Sequence, residues 1–514
     1  MISHHGRGKI RYSSINLLRR STNYYILLSF IISNKLKRGT CHSISNIASN
    51  PSSSSPITYY YTCRHTFEEK LIEELNLPES KSKVINNKRL WGLNRNNVVN
   101  SSSKRNFLLK KASTPCPGLV KAEYEDLVST SSSLTPDPIY ALQVLPNSVS
   151  VKGNTIRELS ANIISSQGLD NIEHSSIAQE LLKAPKGSLT VHALVPDMLK
   201  GNPKPKMIRR VNSISNDVIS TLQKAYPCSR KKSDNNGMEW ILQLLLISSD
   251  EIIVSLSPIH YATSSSIFSS QMTWPCSSMT CGLANVEDEL FFKRLDDGEN
   301  NKKLDSVKTP SSAYRKLLEA ISCVGCMPNP NVDSSSFAVD LGASPGGWVS
   351  MLYKLGYNVI AVDRSKLDPT LMKQKDSIIF QTGDAFSYNP SDKKIILMVS
   401  DIISYPNKII ELLETWCNHK WADYLIVTMK FKDNNDLSSS SSNWDYICNA
   451  IQVVEDNGYV CRVKHFFNNK NEVMFMIAKN DNEDNYDERL LSMSNEYLKF
   501  SPQSMFPILL PKAK

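Results

Sequence analysis

The sequence predicts an α/β protein whose C-terminal part forms a doubly wound, mostly parallel sheet, preceded by a smaller α+β region. Three observations lead to this fold class. From about residue 310, short apolar runs alternate with amphipathic stretches of helical period. A glycine-rich bend joins the first apolar run to a helix. Aspartates follow the ends of successive runs, at the edge where open α/β sheets bind ligands.

The C-terminal elements follow one another through short connections. A helix in "SSAYRKLLEAIS" precedes the strand "SFAVDLG", and the next helix begins in "GGWVSMLYKLG". Strands are predicted in "NVIAVD", "SIIFQTGD", "KIILMVSDI", "YLIVTMK", "YVCRVKHFF" and "EVMFMIAK", and helices in "NKIIELLETWC" and "WDYICNAIQVVEDNG". Strands that alternate with helices imply parallel pairing.

The N-terminal half has a mixed pattern. Helices are predicted in "TFEEKLIEEL" and "NDVISTLQKAY", strands in "IYALQVLP", "SLTVHALVP" and "EIIVSLSP", and either a buried strand or a helix in "MEWILQLLLIS". We therefore predict an α+β domain over residues 58–284, a charged linker over 285–309 and the second domain over 310–480. Residues 481–514 are predicted to form an acidic, partly helical tail.

The net charge of +9 comes from the N-terminal segment. The first 67 residues hold nine Lys and Arg and no Asp or Glu before Glu68, while the remainder holds 50 basic and 50 acidic residues. Residues 1–57 are thus predicted to be a transit peptide for a mitochondrion or plastid; a disordered tail on a cytoplasmic protein is the alternative. The run "YYILLSFIIS" is too short to span a bilayer, so no membrane partner is expected. An RNA-binding surface must then be a local patch.

The eleven cysteines are an odd number without a disulfide framework, which favours reduced thiols in an intracellular compartment. Cys323 and Cys326 form a C-x-x-C pair, and Cys276 and Cys281 form a looser one. Zinc binding is an alternative, but neither spacing is that of a familiar knuckle and no His lies nearby. We predict packed thiols and no metal.

The bend "DLGASPGGW" admits three interpretations. A phosphate-binding Walker loop needs a Lys after its last glycine, and here Trp348 follows Gly347. A dinucleotide fingerprint has a second glycine at the position of Ala343. A tight turn without a ligand is the third interpretation, and the acids at the following strand ends weigh against it.

Those acids favour a nucleoside ligand with a positive centre. Asp340 ends the first strand, and Asp363 ends the second, where a carboxylate can accept both hydroxyls of an adenosine ribose. Asp384 is placed to reach the exocyclic amine of adenine. Asp401 follows the fourth strand and can face a cation. A ribose, an adenine and a cation together describe S-adenosylmethionine.

The motif "DLGASPGGW" resembles the first motif of the FtsJ-like ribose 2′-O-methyltransferases, particularly the RlmM branch, which modifies a cytidine of large-subunit rRNA. That family keeps a Lys-Asp-Lys-Glu tetrad, and the matching positions are Lys316, Asp401, Lys430 and Glu472. Four further segments resemble the upstream domain of the RlmM branch and its junction with the methyltransferase domain: "TCRHTFEEKLIEEL", "MEWILQLLLIS", "TWPCS" and "TPSSAYRK". The resemblance therefore covers about residues 58–479. RlmM-type enzymes tend to have Cys at the position of Ser344, and "DNNDLSSSSSNW" after Lys430 is a further departure.

The resemblance implies a Rossmann-like methyltransferase domain that binds S-adenosylmethionine, preceded by a THUMP-like RNA-binding domain. The expected cofactor-binding residues are Ser311, Asp340, Gly342, Ser344, Pro345, Gly346, Gly347, Trp348, Asp363, Asp384 and Asp401.

A sulfonium methyl is already electrophilic, so the enzyme must position the ribose hydroxyl and remove its proton. A lysine can be that base only when burial or a second cation lowers its pKa. We assign Lys430 as general base and Lys316 as second cation, with Asp401 and Glu472 fixing the geometry. The sequence thus predicts a monomeric ribose 2′-O-methyltransferase acting on organellar rRNA. The alternative is a non-catalytic RNA-binding or ribosome-assembly factor, which loss of a tetrad member would have favoured.

Overall fold

The computed structural model describes residues 57–78, 80–81, 85, 107–126, 138–164, 187–197, 205–225, 238–259, 309–324, 330, 335–391, 393–431, 442–479 and 508–509. These described residues all belong to one compact unit. The predicted transit peptide, nearly all of the linker and most of the tail lie outside the described residues. So do the side chains of the two cysteine pairs, and the predicted domain boundaries stay predictions.

Two sheets make up the front part, residues 57–259. The first contains β1 (Ile57–Thr62), β2 (Phe107–Cys116), β3 (Leu119–Asp126) and β4 (Gln143–Leu145), antiparallel in the order β2-β3-β1-β4. The second contains β5 (Val149–Lys152), β6 (Gly187–Leu194), β7 (Met238–Leu246) and β8 (Glu251–Ile259), with Ile508–Leu509 beside β6. The helices are α1 (Glu68–Leu75), α2 (Ile156–Ile164) and α3 (Pro205–Ala225).

The predicted α+β character of the front part is confirmed, with differences in detail. "MEWILQLLLIS" forms strand β7, and the strand predicted in "IYALQVLP" shrinks to Gln143–Leu145 because a turn precedes it, in which Ala141 N donates to Pro138 O at 3.2 Å. The β2–β3 hairpin was not predicted, because its polar residues hide the alternation. The THUMP-like character of this part stays a prediction.

A seven-stranded sheet forms the C-terminal part. Its strands are β9 (Ser336–Leu341), β10 (Val359–Asp363), β11 (Ile378–Thr382), β12 (Lys394–Ser400), β13 (Ala422–Lys430), β14 (Tyr459–Lys464) and β15 (Glu472–Lys479). The order is β11-β10-β9-β12-β13-β15-β14; β9 to β13 are parallel, and β15 runs antiparallel to both neighbours. The predicted doubly wound sheet is confirmed, and its order reverses between β9 and β12, where such sheets bind ligands.

Four helices cover the two faces of this sheet: α4 (Tyr314–Val324), α5 (Gly347–Lys354), α6 (Pro406–Asn418) and α7 (Asn443–Asp456). Pro406 is the first residue of α6, where the missing N–H costs nothing. Successive side chains of β9 enter opposite cores: Val339 packs with the residues of α6 and α7, and Ala338 with those of α4 and α5. Within the described residues, no helix combines the length and apolar character needed to cross a bilayer.

Candidate active site

The glycine-rich bend between β9 and α5 is packed against the protein's own side chains. Gly342 and Gly346 have φ angles of +78° and +110°, a region that favours glycine. A Cβ at Gly342 would lie 2.5 Å from Ile402 Cγ1, and one at Gly347 would lie 2.3 Å from Ser311 Oγ. The glycines are therefore needed first for the close approach of these two neighbours, which the sequence interpretation did not foresee.

Asp363, at the end of β10, holds the bend in shape. Its Oδ2 accepts a hydrogen bond from Ser344 N at 2.9 Å, and its Oδ1 accepts one from Ser365 N at 2.7 Å. Pro345 O accepts from Asp368 N at 2.9 Å, which ties the same bend to the segment after β10. A carboxylate offers about four lone-pair positions, so Asp363 can also accept ribose hydroxyls.

Open space adjoins the end of β11. A Cβ at Gly383 would meet no atom of the described residues within 4 Å. Next to it, Asp384 is 43% exposed; its Oδ1 lies 3.3 Å from Arg364 Nη2 and accepts from Phe386 N at 3.4 Å. An acceptor at the edge of open space suits the amine of an adenine.

Asp340 and Trp348 lie beneath the bend. Asp340 is buried, and burial raises the pKa of its carboxyl well above the ordinary value, an effect to which the charges of Asp401 and Asp363 add. The buried Trp348 donates its indole N–H to Ala313 O at 2.8 Å. These two predicted cofactor residues thus support the bend and the segment before α4 from inside the core.

The donor set fits S-adenosylmethionine. Asp363 offers acceptors for the ribose, and the space beside Gly383 and Asp384 can take the base. Asp363 and Asp401 both lie close enough to act electrostatically on the carboxyl of Asp340, so the carboxyls at this edge are near neighbours.

The four predicted tetrad residues meet at the same edge of the sheet. Lys316 on α4 places its Nζ 2.6 Å from Glu472 Oε1 and 3.1 Å from Asp401 Oδ2. Lys430 Nζ lies 3.0 Å from Asp401 Oδ1 and donates to the backbone carbonyl of Asp401 at 2.5 Å. All four side chains are largely buried; Glu472 is 4% exposed and Lys430 is 19% exposed. Asp401 therefore binds both ammonium groups at once.

Strand pairing explains why Lys430 and Glu472 lie together. They are direct partners in the antiparallel ladder between β13 and β15, so both stand where the carboxyl end of β13 meets the start of β15. Asp401 follows the neighbouring parallel strand, β12. The antiparallel strand thus brings an acid from its amino end to an edge otherwise formed by carboxyl ends.

Lys316 carries a stable positive charge. Burial alone lowers the pKa of its ammonium, but the charges and hydrogen bonds of Asp401 and Glu472 outweigh burial and raise it. Lys316 therefore stays cationic, as the role of second cation requires.

The sequence interpretation missed Thr428. Its Oγ1 donates to Asp401 Oδ1 at 2.7 Å and lies 3.1 Å from Ser400 O, so it fixes the carboxylate that binds both lysines. The sequence pattern that could have indicated Thr428 is the alternation of side chains along a strand, which puts Thr428 and Lys430 on the same face of β13.

Glu319 was also missed. It lies buried on α4 one turn after Lys316, and burial raises the pKa of its carboxyl to about 7. Its Oε2 accepts from Asn468 N at 2.9 Å and from Asn468 Nδ2 at 3.0 Å. An acid within the apolar pattern of "RKLLEAIS" was the available signal.

Comparisons with known proteins agree with this site. The FtsJ-like methyltransferase family model matches residues 310–473, which contain the bend and the whole tetrad. Ribosomal RNA large subunit methyltransferase M of Shewanella woodyi is 29% identical over 175 residues, covering 33% of this chain and 48% of that protein. The protein of the same name from Dickeya chrysanthemi is 30% identical over 170 residues, covering 32% and 45%. This chain therefore spans about half the length of the curated relatives it matches.

A solved structure, TrmN from Thermus thermophilus, is 11% identical and covers 82% of this chain and 99% of its own, at a TM-score of 0.22. The family match and the sheet order together show a Rossmann-like methyltransferase domain, whose cofactor is S-adenosylmethionine. Residues 310–473 therefore match the FtsJ-like methyltransferase family, and over this part the chain is similar to proteins named ribosomal RNA large subunit methyltransferase M.

Proposed function

We propose that this protein is an RNA methyltransferase that methylates a ribose 2′-hydroxyl of large-subunit rRNA, with S-adenosylmethionine as methyl donor. The observation that carries the proposal is the complete tetrad, in which Asp401 binds the ammonium groups of Lys316 and Lys430 at 3.0 to 3.2 Å. It stands at the sheet edge that also carries the cofactor bend. The relatives' printed name supports rRNA as the substrate class.

S-adenosylmethionine supplies an electrophilic methyl group, so the chain's own residues have to orient the hydroxyl and remove its proton. Lys430 is the general base: Asp401 anchors its Nζ through Oδ1 and the backbone carbonyl, and once the ammonium has released one proton, the neutral amine has a lone pair that can accept the hydroxyl proton. Lys316 is a cation bound to the same carboxylate, and like charges close together repel each other. Glu472 and Thr428 keep this geometry fixed.

Two exposed side chains beside Asp401 support an RNA substrate. Ile403 is 89% exposed and Tyr405 is 59% exposed, directly after the end of β12. Apolar and aromatic side chains are the groups against which unpaired RNA bases pack, and a base lies close to its own ribose hydroxyl.

The alternative, a non-catalytic RNA-binding or assembly factor, is not favoured. All four tetrad side chains are present and bonded to one another, and a relict site would have no reason to keep two buried lysines paired with two buried acids.

Ribose methylation should be mapped on total rRNA from cells with the gene, without it, and complemented by the Lys430→Ala variant. We expect one ribose to lose its methyl group without the gene and to stay unmethylated with Lys430→Ala. An unchanged methylation map, together with no methyl transfer to rRNA by the purified chain, would overturn the proposal.

We further propose that the protein acts as a monomer in a mitochondrion or plastid, without a membrane partner. Its complete tetrad within one chain supports the monomer.

The acid-free basic segment before Glu68 supports import into the organelle. Residues 1–67 fused to a fluorescent reporter should bring it into an organelle, whereas the same segment with its nine basic residues changed to Gln should not. A diffuse cytosolic signal from the unchanged segment would favour the cytoplasmic alternative.

A further inference from the structure

The loop of residues 465–471 between β14 and β15, called here the β14–β15 loop, leads directly into Glu472. It lies between the front part and helix α4. Within the loop, His465 Nε2 donates to Lys470 O at 2.9 Å, and Phe466 N donates to Asn469 Oδ1 at 2.8 Å. The loop is therefore a compact turn, and a movement at one of its ends can be transmitted to the other end, next to Glu472.

Arg64, after strand β1, holds this loop from the front part. Its guanidinium donates to Asn469 O at 2.9 Å and to Phe467 O, and its Cζ lies 4.8 Å from the centre of the Phe467 ring. Its Nε bonds Asp197 Oδ2 at 3.3 Å, and Asp197 is 2% exposed. The guanidinium of Arg64 thus connects the first front sheet, which Arg64 follows, with the second front sheet and with the loop.

Other front residues bind the same loop. Lys70 Nζ donates to Asn471 Oδ1 at 2.6 Å, and His465 N donates to Ile139 O at 2.9 Å. The ring of His465 lies 4.1 Å from that of Phe67 and 5.2 Å from that of Tyr140. The front part therefore contacts the loop at both ends.

The opposite side of the loop is tied to the catalytic residues. Glu319, one helical turn after Lys316, accepts two hydrogen bonds from Asn468. Lys470 N donates to Glu472 Oε1 at 3.3 Å, the oxygen that also binds Lys316. Asn471 forms two hydrogen bonds with the backbone of Phe431, which follows Lys430. Three of the four tetrad residues are thus connected to the loop.

We propose that Arg64 is a positioning residue for methyl transfer: by holding the β14–β15 loop, the front part fixes Glu472, and through it Lys316, in catalytic geometry. This inference rests on the proposed function for its activity readout. It gives the front part a second task beside any contact with RNA. The tetrad is then complete only when the front part is docked.

The competing role for Arg64 is an RNA phosphate contact. Its side chain is only 23% exposed, and its donors already bind a carboxylate and two carbonyl groups. Arg64→Lys separates the two roles, because a lysine keeps the charge that attracts phosphate but cannot reproduce a planar fork. Arg157→Ala is the matched control, since Arg157 is an exposed arginine on α2 of the same front part.

The experiment uses the full chain and saturating S-adenosylmethionine, with rRNA varied. We expect both Arg64→Ala and Arg64→Lys to lower kcat about 10²-fold, the typical effect of a displacement near 1 Å, with KM for RNA little changed. A raised KM with unchanged kcat in Arg64→Ala, restored by Arg64→Lys, would assign Arg64 to RNA contact and overturn the proposal. Arg157→Ala should behave as the unchanged chain.

Hydrogen–deuterium exchange without RNA gives a readout that does not depend on activity. In Arg64→Ala, the amides of Lys470 and its loop neighbours should exchange at least tenfold faster, while those of β9 and β10 stay as in the unchanged chain. Unchanged loop exchange would overturn the proposal. Faster loop exchange in a chain that methylates no rRNA would uphold the coupling and refute only the proposed function.

Discussion

The ammonium of Lys316 and the carboxylate of Glu472 lie 2.6 Å apart and join helix α4 to the first residue of strand β15. Glu472 is 4% exposed and Lys316 is 14% exposed, so the pair is largely shielded from water. Removing one partner from such a pair leaves an uncompensated buried charge. The pair therefore fixes one side of the site, and Asp401 joins it to Lys430 on the other.

Lys430 is the residue whose loss should affect chemistry most. Lys430→Ala should lower methyl transfer by at least ~10²–10⁴-fold, the contribution of a positioned general base. Lys430→Arg should be nearly as poor, because a guanidinium keeps its proton and cannot accept another. Transfer of a radiolabelled methyl group to rRNA measures the rate.

Cofactor binding by Lys430→Ala, followed by calorimetry, should stay near normal, because the bend and acids that hold the cofactor are unchanged. Lys408→Ala, at an exposed ion pair on α6, is the matched control and should keep full activity. Full activity in Lys430→Arg would show that Lys430 is not the base.

Lys316 should set the pH dependence of the reaction. Its raised pKa keeps it cationic across the usual assay range, so its charge acts on Lys430 at every pH tested. Lys316→Ala should move the pH–rate profile to higher pH, whereas Lys316→Arg should leave its position unchanged because the charge remains. Initial rates between about pH 6 and 10 measure this effect. Coincident profiles for the alanine and arginine variants would contradict it.

Asp363 should determine the affinity for S-adenosylmethionine. Asp363→Ala should weaken binding about 10- to 100-fold, since a hydrogen bond to a charged acceptor is worth ~1.5–3 kcal/mol. Asp363→Asn keeps one oxygen that can accept the hydrogen bond from the bend, so this variant should lose less affinity for S-adenosylmethionine than Asp363→Ala. Asp376→Ala changes an exposed acid before β11 and serves as the control. Calorimetric affinities that are equal for all three variants would exclude a ribose contact at Asp363.

Glu319 should make stability depend on pH. Because burial raises its pKa from an ordinary 4.5 to about 7, the folded chain binds more protons than the unfolded chain between these values. Stability should therefore fall as pH rises through this window. Glu319→Gln mimics the protonated acid and avoids this loss, which is on the order of 3 kcal/mol.

Urea unfolding at about pH 5 and pH 8 tests the effect of Glu319→Gln. The stability of the variant relative to the unchanged chain should be higher at the upper pH. Glu411→Gln, in the exposed pair with Lys408, should show no such trend. A difference between Glu319→Gln and the unchanged chain that is independent of pH would contradict a raised pKa at Glu319.

The sequence by itself determined the order and type of the C-terminal elements. Strands buried on both faces of a parallel sheet are nearly continuous apolar runs, so β9, β10 and β12 could be recognised without any knowledge of their partners. The aspartates after these strands indicated the ligand-binding edge for the same local reason. The tetrad came instead from the family motif, because no local pattern relates Lys316 to Asp401, 85 positions away.

Only the tertiary structure decided what surrounds those residues. The side chains that fill the bend, Ile402 and Ser311, come from other elements, and so does Thr428 beside Asp401. Arg64 meets Asn469 across 405 positions of sequence. Such contacts depend on how whole sheets pack, and packing is decided by the summed burial and pairing of many side chains rather than by the neighbours of any one residue.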